Sequence, residues 1–390
     1  MSVIPKIEAF ADELTAIRQD FHAHPELGFE ETRTSGIVAE KLRAYGVDEV
    51  HEGIGGTGVV GIVKGNGGGN RRVGLRADMD ALPIEEASGV PYASTNPGRM
   101  HACGHDGHTT MLLGAARYLA ETRDFDGTVV LIFQPAEEGL GGARRMIADG
   151  LFEKFPCDEI YGMHNDPNAE PGIVTVTPGP GMAGACFFDI NVKGTGSHAA
   201  MPHQSKDPIV IGTALVQQLQ SVVSRNTPPT KPIVLSVTTF NAGSAYNVVP
   251  GSATITGTVR YFHDDVIDMA SSRIRELCAG LAQAYGIEID VDIRNVFDVL
   301  MNDPDLSEAY IEAASDVVGD GARLSEDQAT GSEDFADMLK VVPGAYCRVG
   351  HAGSVPLHNP AFVLDDGILP VGASVYARIV ETRLPAGGAS

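Results

Sequence analysis

Four short apolar runs do most to limit the fold: V-V-G-I-V-K at 59–64, R-V-G-L-R-A at 72–77, T-V-V-L-I-F at 128–133 and D-E-I-Y-G-M at 158–163. Runs that stay apolar on both alternating faces belong in a sheet covered on both sides. Helical apolar spacing recurs around them, at 6–20, 31–45, Thr109 to Glu121 and Gly142 to Asp149,. This alternation predicts an α/β first domain over 1–183 with a largely parallel sheet.

From about Gly184 the order changes. A strand at 185–193, a helix from Asp207 to Arg225, strands at 233–240 and 252–262, a helix from Asp264 to Tyr285 and a strand at 287–293 read as βαββαβ. A split pair of this kind folds as a four-stranded antiparallel sheet with two helices on one face. Residues 184–295 are therefore expected as an inserted, ferredoxin-like α+β domain. Helix and strand alternate again afterwards, through V-P-G-A-Y-C-R-V-G at 342–350 to a last helix from Gly367 to Glu381. Residues 296–390 are expected to complete the first domain. The glycine-rich G-N-G-G-G-N at 65–70 lacks both the spacing of a dinucleotide fingerprint and the lysine of a P-loop, and it reads as a hairpin turn.

A length of 390 residues allows two full cores,. A formal charge of −23 argues against nucleic-acid or anionic-membrane partners, which such a surface repels,. The first residues carry charges throughout and lack the apolar stretch of a secretory signal, and no run of about 18 apolar residues offers a membrane span. The five cysteines are odd in number and scattered, unlike a disulfide framework,. A reducing cytoplasm is the expected location.

Chemistry concentrates at 101–108, H-A-C-G-H-D-G-H, where Cys103 and His105 offer thiolate and imidazole two residues apart. These are the ligands that borderline-soft divalent metals take. Other polar residues follow directly on apolar runs: Asp78 and Asp80, Glu137 and Glu138, His164, and His358 beyond the run at 342–350. Ligands bind outside the carboxyl ends of strands in open α/β sheets, so the fold is expected to gather these side chains on one rim. Cys103, His105, one of Glu137 and Glu138, His164 and His358 exceed the ligand count of one tetrahedral ion. Two ions with a bridging ligand fit better. Such a pair polarises a carbonyl and lowers the pKa of a shared water, and the remaining glutamate can take that water's proton. Asp78 and Asp80, two apart, share a face in extended chain. Each can hold a liganding imidazole by its second nitrogen or cap a strand end.

Together these segments resemble the aminoacylase and carboxypeptidase G metallopeptidase family, family twenty, and most closely its amidohydrolase branch of hippurate, N-acyl amino acid and auxin-conjugate hydrolases. The landmarks are H-A-H-P-E-L-G-F-E-E-T at 22–32, L-R-A-D-M-D-A-L-P-I at 75–84, H-A-C-G-H-D-G-H at 101–108, Q-P-A-E-E-G at 134–139 and G-M-H-N at 162–165. G-S-H-A-A-M-P-H at 196–203, N-V-V-P at 247–250, G-S-E-D-F at 331–335 and L-H-N-P at 357–360 follow in the same order. The resemblance implies two divalent ions, zinc or manganese first and cobalt or nickel as further options, bound by Cys103, His105, Glu138, His164 and His358. It makes Glu137 the general base and later acid, and Asp80 a support of the site. The wider family has a ligand histidine where this chain has Asp78, and Cys103 with its neighbouring histidines looks like the branch's substitute.

In the inserted domain the resemblance implies that His198 reaches across a homodimer to stabilise the oxyanion in the partner's site. It implies that Asn247 and Arg260 hold the substrate's carbonyl and free carboxylate, a task that suits the planar guanidinium fork. His101, His108, Glu333 and Asp334 receive no role. The expected activity is hydrolysis of the amide of a small N-acyl amino acid. A metallo-exopeptidase or dipeptidase is the nearest rival, and a non-catalytic metal- or peptide-binding module is the rival of another class.

Overall fold

The computed structural model describes residues 1–353 and 355–387. By their internal contacts they form two compact units, one of Met1–Gly181, Met301–Asp327 and the chain from Asp334 onward, the other of Met182–Leu300 with Gln328–Glu333.

The first unit is built on a sheet of β1 (Glu49–Ile54), β2 (Gly58–Lys64), β3 (Arg72–Asp78), β4 (Thr128–Gln134), β5 (Glu159–Asp166), β6 (Val174–Val176), β7 (Ala322–Leu324) and β8 (Gly344–Gly350). Their spatial order is β1-β2-β4-β3-β5-β8-β6-β7. The four central strands β4, β3, β5 and β8 run parallel to one another, while β1–β2, β2–β4 and β8–β6 pair antiparallel. The fold is thus α/β with a mostly parallel sheet. The apolar run of β2, an antiparallel strand, is as buried as the runs of the parallel strands β3 and β4. A continuous apolar run reports burial on two faces, and strand direction is set by the connections.

The glycine-rich loop is a correction. β2 and β3 are not neighbours, because β4 lies between them. Residues 65–70 therefore form no hairpin turn; they pass the start of β4, where Gly65 N–H donates to Gly127 O at 2.9 Å and Gly69 N–H to Asp126 Oδ1 at 2.5 Å.

The helix expected at 6–20 is two, Pro5–Glu8 and Ala11–Ala23, broken at Phe10, and the helix expected from Thr109 begins four residues earlier, at His105. Gly104 precedes it with φ 96°, and a Cβ there would lie 2.2 Å from Asn165 Nδ2. Only glycine fits that turn, and its consequence is that His105 and His108 stand on the first turn of a buried helix. Helices Pro304–Val318 and Leu369–Arg383 complete the cover of the sheet, their buried residues joining one continuous core with Leu75, Leu131 and Tyr161.

The second unit has a four-stranded antiparallel sheet in the order 233–242, 252–261, 184–193, 288–297. Helices Pro208–Ser221 and Asp264–Tyr285 share its core, with Leu215, Leu219, Ile274 and Cys278 packed among Phe188, Ile190, Ile255 and Val259. Asp207 starts the first helix by accepting from Ile209 N–H at 2.9 Å, followed by proline at the position where a missing N–H costs nothing,. Gly286, at φ 61°, ends the second,.

Candidate metal centre

The carboxyl ends of β3, β4, β5 and β8, adjacent and parallel, carry or lead into every donor expected at the rim. Asp78 closes β3 and Asp80 follows it; Glu137 and Glu138 lie three and four residues past β4; His164 lies near the end of β5; His358 follows β8. The H-A-C-G-H segment enters the helix that covers these ends. A backbone bond from His358 N–H to Ala102 O, 2.8 Å, ties the two segments together.

The donors form interlocking groups. Cys103, His105 and His164 make one, Cys103, Glu138 and His358 a second, and His105, Glu137 and Glu138 a third, with the liganding atoms of each group within 4.8 Å of one another. Cys103 Sγ is 3.3 Å from His164 Nε2, and Glu138 Oε1 is 3.3 Å from His358 Nε2. Because Cys103, His105 and Glu138 each belong to two groups, the donors surround neighbouring positions instead of one point.

The imidazoles are oriented from behind. His164 Nδ1 donates to Asn165 O at 2.6 Å, which leaves the lone pair on Nε2, the edge that faces Cys103 Sγ. His105 Nδ1 sits 3.3 Å from Asp80 Oδ1, and its Nε2 is buried with no hydrogen-bond partner among the described residues. A buried ring nitrogen left without a partner is costly unless something else takes its lone pair. Asp80 also accepts from Glu137 N–H and Glu138 N–H, 3.0 Å each. One carboxylate thus sets both a ring and the glutamate turn.

Charge is equally unbalanced. Contacts with Cys103 and Glu138 push the His358 imidazole up to about 10. Burial works against charge on His105, yet Asp78 and Cys103 beside it draw its pKa well above the histidine range. Burial likewise favours the neutral carboxyl of Asp78, but His105, Arg76 and His108 hold it well below the carboxylate range. The His164 ring goes the other way, held well below the histidine range by burial and by His108, so it stays neutral with a lone pair to offer a cation. Thiolate, imidazole and carboxylate together suit a borderline divalent ion, so these residues fit the pair of metal ions.

His108 groups with Asp78 and His105, but both of its ring nitrogens are taken up. Its Nδ1 meets Asp78 Oδ1 at 2.6 Å and its Nε2 accepts from Asn165 N–H at 3.0 Å. Asn165, to which the sequence assigned nothing, also donates to Cys103 O at 2.6 Å and meets His351 Nε2 at 3.0 Å. Its signal was its place beside a ligand candidate on a buried strand. Asp334 accepts from Arg76 at 3.1 Å, Gln134 Nε2 at 2.7 Å and Ala143 N–H at 2.9 Å, so it ties β3, β4 and the following helix together. His101 is buried, neither ring nitrogen partnered among the described residues.

His198, Asn247 and Arg260 belong to the second unit. His198 pairs with Val248 in a two-residue ladder, and Ala199 N–H donates to Asn247 O at 3.0 Å, so His198 and Asn247 stand side by side and exposed. His198 Nδ1 accepts from Ala200 N–H at 3.1 Å, which puts the ring proton on Nε2 and makes that edge a donor. Arg260 lies on the sheet face opposite the core, between buried Val259 and Tyr261, over the Phe187 ring at 6.0 Å.

The family model described as "Peptidase family M20/M25/M40" matches residues 74–382. The chain belongs to this family. A hippurate hydrolase of Campylobacter jejuni is 42% identical over 97% of this chain and 98% of its own. An N-acetylcysteine deacetylase of Bacillus subtilis is 37% identical over 95% and 97%. The crystal structure of a dinuclear metal binding M20 peptidase from Bacillus subtilis superposes with a TM-score of 0.83 at 33% identity, covering 97% of this chain and 99% of that one.

Proposed function

We propose that this M20 protein is a metal-dependent amidohydrolase that cleaves N-acyl amino acids into a carboxylic acid and a free amino acid. The observation that carries the reading is the set of interlocking groups around Cys103, His105, Glu138, His164 and His358, with Glu137 at its edge. The relatives named hippurate hydrolase and N-acetylcysteine deacetylase support the substrate class.

Cys103, His105, Glu138, His164 and His358 hold two divalent ions in this reading, zinc or manganese first, cobalt or nickel next. When bound, such a pair polarises a carbonyl oxygen and acidifies a shared water. Glu137, buried and fixed through its backbone by Asp80, accepts the proton of the attacking water and returns it to the leaving amine,. Nε2 of His198 donates to the oxyanion, and Asn247 and Arg260 hold the substrate's carbonyl and carboxylate.

The reading includes a homodimer in which the partner's His198 serves this site, with the 184–295 insertion as lid and dimerisation domain between the catalytic segments 1–183 and 296–390. It also includes a cytoplasmic location, in keeping with five cysteines that form no disulfide among the described residues. No helix among the described residues is long and apolar enough to cross a membrane.

The test is release of free amino acid from N-acetyl, N-benzoyl and N-indoleacetyl amino acids beside simple dipeptides. Release from the acylated compounds supports the reading. Release from dipeptides alone makes the protein an exopeptidase, and release from neither favours a binding module.

A further inference from the structure

Three consecutive backbone N–H groups leading into the catalytic glutamates are held by two buried carboxylates. Asp80 takes those of Glu137 and Glu138; the one before them, on Ala136, donates to Glu31 Oε1 at 2.8 Å. Ala136 has φ 54°, the left-handed region that a Cβ disfavours. A left-handed residue is what lets successive N–H groups converge on one anion, so the conformation of Ala136 and the grip of Asp80 belong together.

Glu31 is placed to reach Ala136 and not its own helix. It stands at the start of helix Thr32–Ala44 but makes no side-chain cap. Glu26 caps that helix in its stead, accepting from Arg33 N–H at 3.0 Å and Thr34 N–H at 2.8 Å. Glu31 is free to reach away from its own helix, and its second oxygen accepts from Thr57 Oγ1 at 2.5 Å. The side chain is fully buried. Burial first, then the charge of Asp80, push its carboxyl up to about 7 despite the bonds from Thr57 and Ala136. An acid kept in so unfavourable a place is a poor device for stability.

We propose that Glu31 is a positioning residue for the metal centre: it clamps Ala136 in the left-handed conformation that aims Glu137 and Glu138. Its kinetic consequence rests on the amidohydrolase reading; its metal-binding consequence does not require a substrate.

The test uses the full chain with Glu31→Ala, Glu31→Gln and the double variant Glu31→Ala with Ala136→Gly. Two readouts are taken, kcat and KM on a cleaved N-acyl amino acid, and Co2+ affinity from visible absorption. Glu31→Ala is expected to weaken Co2+ binding about 10-fold or more, the scale for a residue behind a ligand. It should lower kcat by up to about 100-fold, the scale of a 1 Å misplacement, with little change in KM. Glu31→Gln keeps an acceptor for Ala136 and an amide for Thr57, and should stay near wild type. Glycine adopts a positive φ without a clamp, so Ala136→Gly should restore much of what Glu31→Ala loses. Thr57→Val, which frees one oxygen of Glu31, gives the same losses in milder form and covers the case in which Glu31→Ala does not fold. Wild-type Co2+ affinity in Glu31→Ala, or in Thr57→Val where that variant stands in, overturns the proposal, as does failure of Ala136→Gly to restore it. If no N-acyl substrate is cleaved by the wild type, the amidohydrolase reading fails and the Co2+ arm still decides the role of Glu31.

Discussion

Asp80 Oδ1 lies 3.3 Å from His105 Nδ1, and the opposite nitrogen of that ring is buried without a hydrogen-bond partner among the described residues. The carboxylate therefore selects which nitrogen is offered forward, and the same group holds the backbone of Glu137 and Glu138. Replacing Asp80 by Ala is expected to cost about 10- to 100-fold in metal affinity and to lower turnover as well. Asp80→Asn keeps an acceptor and should fall between. Equilibrium metal titration of the apo-protein checks this; an unchanged affinity in Asp80→Ala removes Asp80 from the site.

Glu137→Gln removes a base and leaves the ligand donors in place. The variant should retain both metal ions and lose nearly all turnover, since general base catalysis contributes about 10²- to 10⁴-fold. Metal analysis beside steady-state kinetics separates the two. Near-normal rates would end the assignment of Glu137.

The donor edge of His198 is exposed on its own unit. His198→Ala is expected to depress kcat by about 10²-fold, the cost of an oxyanion donor, with the oligomeric state unchanged by light scattering. Mixing it with a chain dead at Glu137 should recover activity if the ring serves a partner's site. No recovery would rule out the trans arrangement.

A buried cluster behind the centre gives stability a pH dependence. His22 Nδ1 meets Asp106 Oδ2 at 2.8 Å and its Nε2 meets Glu86 Oε1 at 3.2 Å. Burial opposes the charge, but these two acids raise the ring from the ordinary 6.5 to about 9. Between those values the folded protein binds more protons than the unfolded chain, so stability is full below pH 6.5 and falls as pH rises through about 9. The loss is at most about 3 kcal/mol. Urea unfolding from pH 6 to 10 should show this decline in the wild type and a flatter profile in His22→Gln. Equal slopes would contradict the role of His22.

How far the sequence was legible depended on the range of the contact. Apolar runs announced the strands, and residues just past them, such as Asp80, Glu138 and His164, reached the rim because parallel strands end there together. Partners across the sheet were less visible. The loop at 65–70 looked like a hairpin because β2 and β3 are close in sequence, whereas β4, some 50 residues on, separates them. The start of the buried helix at His105 was hidden because polar residues fill its first turn. Glu31 gave no local sign of its role, since its bond to Ala136 spans 105 residues.

Metal stoichiometry read together with turnover tests whether a two-ion centre hydrolyses the amide. Reconstituted protein should hold two divalent ions per chain and release glycine from N-benzoylglycine or another N-acyl amino acid. Chelation should abolish the release and added metal restore it. Undiminished hydrolysis after chelation, or full turnover by protein with no bound ion, would contradict the account.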